Sequence, residues 1–212
     1  MCYNKNTSIV TYFIGTISSL LLLRSTNSSY NILGIFFLFV SQMQMIEYLL
    51  WKDYTCNTFN INISNIGSIL NHLQPIILYF AIRYYNKNLT STQKNIINLI
   101  LCIYIASLLF YSRNVYPLEC TVLTDTNPPH LHWKWNYKKN WFIFYMIFLL
   151  SLILLSYFGL SKPYNIYLAL TCLGTYLYSQ IKYNNTKSVG AVWCWIAALV
   201  PLIVVIIDNI NK

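Results

Sequence analysis

The stretch YNILGIFFLFVSQMQMIEYLL, residues 30–50, sets the class of the whole chain. Its 21 residues carry one charge. At 1.5 Å of rise per helical residue they reach about 30 Å, the thickness of a hydrocarbon layer. Barrel strands alternate apolar and polar over about ten residues. This run is continuous, so it reads as a membrane helix. Trp51 and Lys52 follow it, an interfacial aromatic and a snorkelling cation.

Runs of the same kind recur at 8–23, 63–82, 96–112, 141–160, 164–181 and 189–207. The expected fold is therefore all-α: a polytopic bundle of seven transmembrane helices forming one domain over residues 1–212, with a long loop at 113–140. Composition agrees, because 57% of the 212 residues are hydrophobic and only 9% are charged. That is too little charge to cover a soluble domain of this length. The first run could mimic a signal peptide, but no small-residue cleavage site precedes the next run, so it is read as a span. All six glycines fall within or at the edge of spans, which favours a closely packed bundle.

A net charge of +9 would suggest nucleic acid in a soluble chain. Here the basic residues are scattered among loops and read as topology and headgroup contacts, so no nucleic-acid partner is expected. Seven spans put the termini on opposite sides. One side holds Arg24, Arg83, Lys87, Lys94, Lys162, Lys212 and the C-terminus. The other holds the long loop and most of the acids. Basic density makes the C-terminal side the cytoplasmic one. Cys56 and Cys120 share the loop side and form a candidate disulfide. Cys102, Cys172 and Cys194 fall inside spans and read as small packing residues.

The run that opened the reading also carries polar groups. Gln44, Glu47 and Trp51 follow an i, i+3, i+7 pattern, one helical face. In the next span Ser68, Asn71, His72 and Pro75 share a face, with Gln74 beside it. A carboxylate at the bilayer centre costs about 2.5–3.5 kcal/mol, so such groups turn inward. Counting residues from the loop side puts Glu47 about 5 Å deep, Gln44 about 9 Å, Ser68 about 8 Å, Asn71 about 12 Å and His72 about 14 Å. Glu47 is then shallow enough to be partly hydrated. Level matching pairs Glu47 with Asn65 or Ser68, and Gln44 with Ser68 or Asn71. Trp193 and Trp195 reach the same layer. The opposite halves of three spans read FFLFV, IILYFAI and LILL.

The candidate site is thus a polar cavity of Gln44, Glu47, Ser68, Asn71, His72, Gln74, Trp193 and Trp195, opening towards the 113–140 loop. Polarity stops near mid-membrane, which favours a non-enzymatic protein that binds a ligand or protein partner over a transport path. The alternative is a membrane-embedded enzyme acting on lipid, with Glu47 and His72 as acid and base. Transport of a small solute or protons is third. There is no G-x-S-x-G and no H-E-x-x-H, and the last span lacks the lysine that a retinal Schiff base needs. No catalytic residue and no cofactor is assigned.

In the loop, His130 and His132 with Glu119, Cys120 and Asp125 make a weak metal pattern, so solvated histidines and no metal site are expected. Trp133, Trp135, Tyr137 and Trp141, with Lys134, Lys138 and Lys139, read as an interfacial belt able to lower the loop as a lid. In its asparagine-, isoleucine-, tyrosine- and lysine-rich style the chain resembles uncharacterised multi-pass proteins of giant DNA viruses with AT-rich genomes. That resemblance is compositional and carries over no functional residue. It implies a host or virion membrane as the location.

Overall fold

The computed structural model describes residues 4–116, 118–127, 129–183 and 187–210. Eight α-helices run through the described residues: α1 (Lys5–Leu22), α2 (Ser28–Lys52), α3 (Thr58–Tyr85), α4 (Ser91–Val115), α5 (Trp141–Gly159), α6 (Tyr164–Tyr183), α7 (Val189–Ala197) and α8 (Val200–Ile210). Between α4 and α5 lie a two-residue hairpin, β1 (Val122–Leu123) with β2 (Leu131–His132), and a 3-10 turn at Lys134–Tyr137.

Short polar residues set the helix starts. Asn4, Asn27 and Asn57 accept from the backbone N–H groups of Thr7, Ser29 and Asn60, and Thr90 makes a reciprocal capping box with Gln93. Lys52, Arg83 and Arg113 stand in the last turns of α2, α3 and α4, where the helix dipole favours a cation. Asn140 enters α5 at φ 64°, a left-handed conformation that asparagine tolerates.

Four segments are long and apolar enough to cross a membrane: α2, α4, α5 and residues 189–207. The expected runs in α1, α3 and α6 fall below that hydropathy because each carries polar residues on a buried face. In α1, Ser8, Thr11, Gly15, Ser18 and Ser19 are buried while Val10, Phe13, Ile17 and Leu20 are exposed. In α6, Asn165, Cys172 and Ser179 are buried while Ile166, Leu170, Leu177 and Ile181 are exposed. This reverses the amphipathicity of a helix packed in water. Of the three span cysteines, Cys172 and Cys194 are buried, but Cys102 is exposed and does not pack inside.

The span expected at 189–207 is broken between Ala197 and Val200. Pro201 has no N–H to give the Ala197 carbonyl, so the hydrogen-bond ladder lapses there. A Cβ on Gly15 would lie 2.3 Å from Ser41 Oγ and 2.6 Å from the Ala198 carbonyl oxygen. Only a bare Cα lets α1 approach α2 and the break this closely.

The connections gather at two ends. At one, Ser29 Oγ lies 2.7 Å from Ser161 Oγ, and Asn86 Nδ2 donates to the Gly159 carbonyl at 2.8 Å. At the other, Cys56 is bonded to Cys120, and the Val189 N–H donates to Tyr137 Oη at 3.4 Å. Between them the core is a continuous apolar cluster in which Phe36, Phe37 and Val40 of α2, Leu78 and Ile82 of α3, and Phe148, Leu152 and Leu155 of α5 are buried.

Candidate functional site

The loop after α4 is pinned to the bundle. The Cys56–Cys120 disulfide, with Cα atoms 5.4 Å apart, ties it to the start of α3. Asn60 then holds Thr121 as a neighbouring strand would: Asn60 Nδ2 donates to the Thr121 carbonyl at 3.0 Å, and Asn60 Oδ1 accepts the Thr121 N–H at 2.9 Å. A side-chain amide carries the donor and acceptor of a peptide group, so one buried asparagine satisfies both backbone atoms. Glu119 pairs with Lys138 and Lys134 at the surface, and these ammonium groups hold its carboxyl below the usual range.

Past the hairpin, Trp133 and Trp135 enter the bundle. They are 1% and 0% exposed and stack with ring centroids 5.1 Å apart. A Cβ on Gly67 would lie 2.8 Å from Ile46 Cγ2 and 3.4 Å from the Trp135 ring, so glycine makes the seat for this indole. Tyr111 Oη donates to the Trp135 carbonyl at 2.5 Å. The belt expected here is therefore corrected. Tyr137 and Trp141 stay half-buried at the rim, but the two preceding indoles are a plug. The physical reason is that the anchored hairpin turns the chain inward just before Trp133. The loop histidines are corrected too. His130 is 5% exposed against the Tyr183 ring, and half-buried His132 lies against Tyr137. Burial lowers the pKa of both, and Lys187 and Lys134 lower that of His132 further.

Beneath the plug lies a hydrogen-bonded network. Tyr145 of α5 donates to Asn136 Oδ1 from the loop. Its oxygen receives Asn71 Nδ2 at 3.2 Å and faces His72 Nε2 at 3.1 Å. A phenol has one proton to give, and here it goes to Asn136, so His72 Nε2 carries its own proton. Nδ1 is then the acceptor for Ser68 Oγ at 3.5 Å. Pro75, inside α3, disturbs the local ladder, and Tyr104 Oη donates to the His72 carbonyl at 2.5 Å.

Against this network lies a cavity of ≈ 20 Å³ walled by Asn71, Asn136, Tyr145, Tyr176, Gly190 and Trp193, among others. Such a volume holds about one water-sized group. A Cβ on Gly190 would lie 2.0 Å from Asn136 Nδ2, so glycine makes the room on the α7 side. Trp193 is 5% exposed, and its buried Nε1 has no hydrogen-bond partner among the described residues.

The candidate residues thus fall into two groups. Ser68, Asn71, His72 and Trp193 meet around Tyr145 and the cavity. Gln44, Glu47 and Gln74 lie elsewhere: Gln74 and Glu47 are both near the Cys194 side chain, and Gln74 Nε2 has no hydrogen-bond partner among the described residues. Gln44 is buried, with neither amide atom partnered among the described residues. Trp195 is half-buried and packs on the core outside the cavity wall.

Glu47 is 0% exposed, which corrects its expected hydration. Ile46, its neighbour in the chain, and the Trp135 ring both lie against Gly67. The level-matched pairing of Gln44 with Ser68 or Asn71 is corrected as well, since Ser68 bonds His72 and Asn71 bonds Tyr145 of α5. α3 begins at Thr58, ahead of the apolar run at 63–82 and about 7.5 Å earlier along the helix, so its polar face lies deeper than the run alone indicates. Tyr145 and Asn136 escaped the sequence reading. The first sits in the most apolar run and the second between two loop aromatics, so neither carries a periodic signal.

No family model, no curated protein and no solved structure matches this chain.

Proposed function

We propose that the chain is a seven-pass integral membrane protein that binds a polar group of a ligand in the cavity beneath the loop, among Asn71, Asn136, Tyr145 and Trp193. Seven crossings are supported by the reversed faces of α1 and α6 and by connections that alternate between two ends. Helices that bury serine and asparagine while exposing isoleucine and phenylalanine are suited to lipid as solvent. The disulfide at the loop end fits an oxidising, non-cytoplasmic side. That agrees with the basic density that makes the C-terminal side cytoplasmic.

The observation that carries the binding reading is Trp193 Nε1. Burying a donor without an acceptor costs about 1–3 kcal/mol. The His72–Tyr145–Asn136 network is already satisfied within itself. The indole donors of Trp51, Trp133, Trp135 and Trp195 are also buried without acceptors among the described residues, but of these unpartnered indoles only that of Trp193 belongs to a residue lining the cavity. An indole N–H only donates, so the group it serves must accept. In the far halves of α2 and α3 the buried side chains, among them Phe36, Phe37, Val40, Leu78 and Ile82, are apolar, which favours binding over conduction. Both ring nitrogens of His72 are engaged, by Ser68 and Tyr145, which leaves little scope for an acid–base role with Glu47.

The test is a titration of the micelle-embedded protein with acetamide, a minimal acceptor, followed through ¹⁵N-labelled indole resonances. A saturable shift of Trp193 alone is expected. No shift, or an equal drift of Trp193 and Trp195, would overturn the reading.

A further inference from the structure

The geometry points to an acid-opened lid: residues 130–140 cover the cavity at neutral pH and swing away from it when the loop gains positive charge. This inference concerns the regulation of the cavity and rests on the cavity reading above.

Asn136 and Tyr137 belong to the lid and wall the cavity, and the buried Trp133 and Trp135 plug the bundle beside them. Groups that do not titrate fix both ends. Upstream, the Cys56–Cys120 disulfide and the hydrogen bonds of Asn60 and Ser64 with Thr121 hold the chain just before β1. Downstream, Asn140 leads into α5. Between these points the lid is hydrogen-bonded to the bundle through the Trp135 carbonyl, the Asn136 amide and the Tyr137 hydroxyl, all neutral. Mild acid therefore leaves the anchors in place and acts through the histidines and the charged groups around them.

Those groups are arranged so that each protonation adds repulsion. His132 lies against the Tyr137 ring and feels Lys134, Lys187 just ahead of α7, and Glu119. Glu119 also pairs with Lys134 at 3.1 Å and with Lys138, and so ties the lid to the residue beside Cys120. At neutral pH three ammonium groups face one carboxylate. In acid the same three, joined by an imidazolium, face none. Both nitrogens of an imidazolium donate, and the buried His132 Nε2 has no acceptor among the described residues. His130 is buried against the Tyr183 ring of α6, and the amino-terminal ammonium also opposes its charged form. An open lid returns both histidines to water, where they charge below the ordinary pKa of 6.5, while the closed lid holds both lower. The closed lid is thus fully favoured above 6.5 and loses ground below it, by up to about thirty-fold per histidine at pH 5.0.

The experiment exposes the whole protein in nanodiscs to a continuous hydroxyl-radical source at about pH 7.5 and about pH 5.0 and reads oxidation residue by residue by mass spectrometry. Oxidation of Trp133 and Trp135, referred to half-buried Trp141 in the same molecules, is expected to accelerate at least about ten-fold at the lower pH. With both His130 and His132 replaced by Phe the acceleration should fall below about three-fold, and in Glu119→Gln oxidation at neutral pH should already be faster than in the wild type. His132 is half-buried, so His132→Phe alone, which should remove part of the acceleration, keeps the test readable if the double variant misfolds. No acceleration in the wild type, full acceleration in the histidine variants, or equal acceleration at buried Phe37 in α2, the sign of general unfolding, overturns the lid. If acetamide shifts Trp193 while the two indoles stay protected in acid, the lid falls and the cavity reading stands. If the indoles respond as expected and acetamide never shifts Trp193, the acid-opened loop stands and the cavity reading falls.

Discussion

Replacing Trp135 with alanine tests the plug on which the closed site depends. The side chain is fully buried, seated on Gly67 and stacked on Trp133. An indole of 150–250 Å² at roughly 25 cal/mol per Å² gives a ceiling of about 4–6 kcal/mol. Partial burial in the unfolded chain lowers this, and large-to-small changes at such sites run about 3–5 kcal/mol. The Tyr111 hydrogen bond goes to the backbone carbonyl and survives the substitution, so the loss is one of packing. We expect about 3–4 kcal/mol. Half-buried Trp141 is the internal comparison, and Trp141→Ala should lose less than half as much. The measurement is reversible unfolding in mixed detergent–SDS micelles, read by helical circular dichroism under non-reducing conditions. A loss below about 1 kcal/mol for Trp135→Ala, or one no larger than for Trp141→Ala, would refute the plug and return these indoles to the membrane interface.

Two further outcomes follow from the loop. The disulfide closes a separation of 64 residues, for which the chain-entropy relation gives about 4 kcal/mol in a free chain. In the proposed seven-pass arrangement the spans are already confined, so Cys56→Ser should lose about 1–4 kcal/mol. Cys120→Ser and the double variant should match it in non-reducing unfolding titrations, and additive losses would mean the cysteines act separately. Acid should also loosen the loop. The carboxyl of Glu119 is depressed by its lysines, so its contribution is present above the ordinary carboxylate range and lost as pH falls through the lowered pKa. It is exposed, which keeps that contribution under about 1 kcal/mol. His130 and His132 are depressed by burial, so the folded loop is favoured above the ordinary histidine pKa of 6.5 and weakened below it. Loop proteolysis should therefore accelerate from about pH 6.5 downward, and replacing His130 and His132 with Phe together with Glu119→Gln should flatten the profile. A pH-independent wild-type rate would sink this account.

Local chemistry made much of the fold legible. Apolar runs of membrane length set the helices, and two cysteines on one side were enough to suggest a bridge. The polar stripes of α2 and α3 were readable because a period of 3.6 residues identifies a face. Periodicity does not say which neighbour that face meets. Rotation and tilt of the packed helices sent Asn71 and His72 to Tyr145 on α5, more than seventy residues away, while Glu47 and Gln74 came to lie by Cys194 on α7. The loop was the least readable part. Tryptophan has the same composition signal at an interface as in a core, and its place here follows from a disulfide, an asparagine that imitates a strand, and a glycine seat. All of these join residues distant in the chain. Whether the polar layer is open or covered was fixed by those contacts, which the order of residues along one helix does not encode.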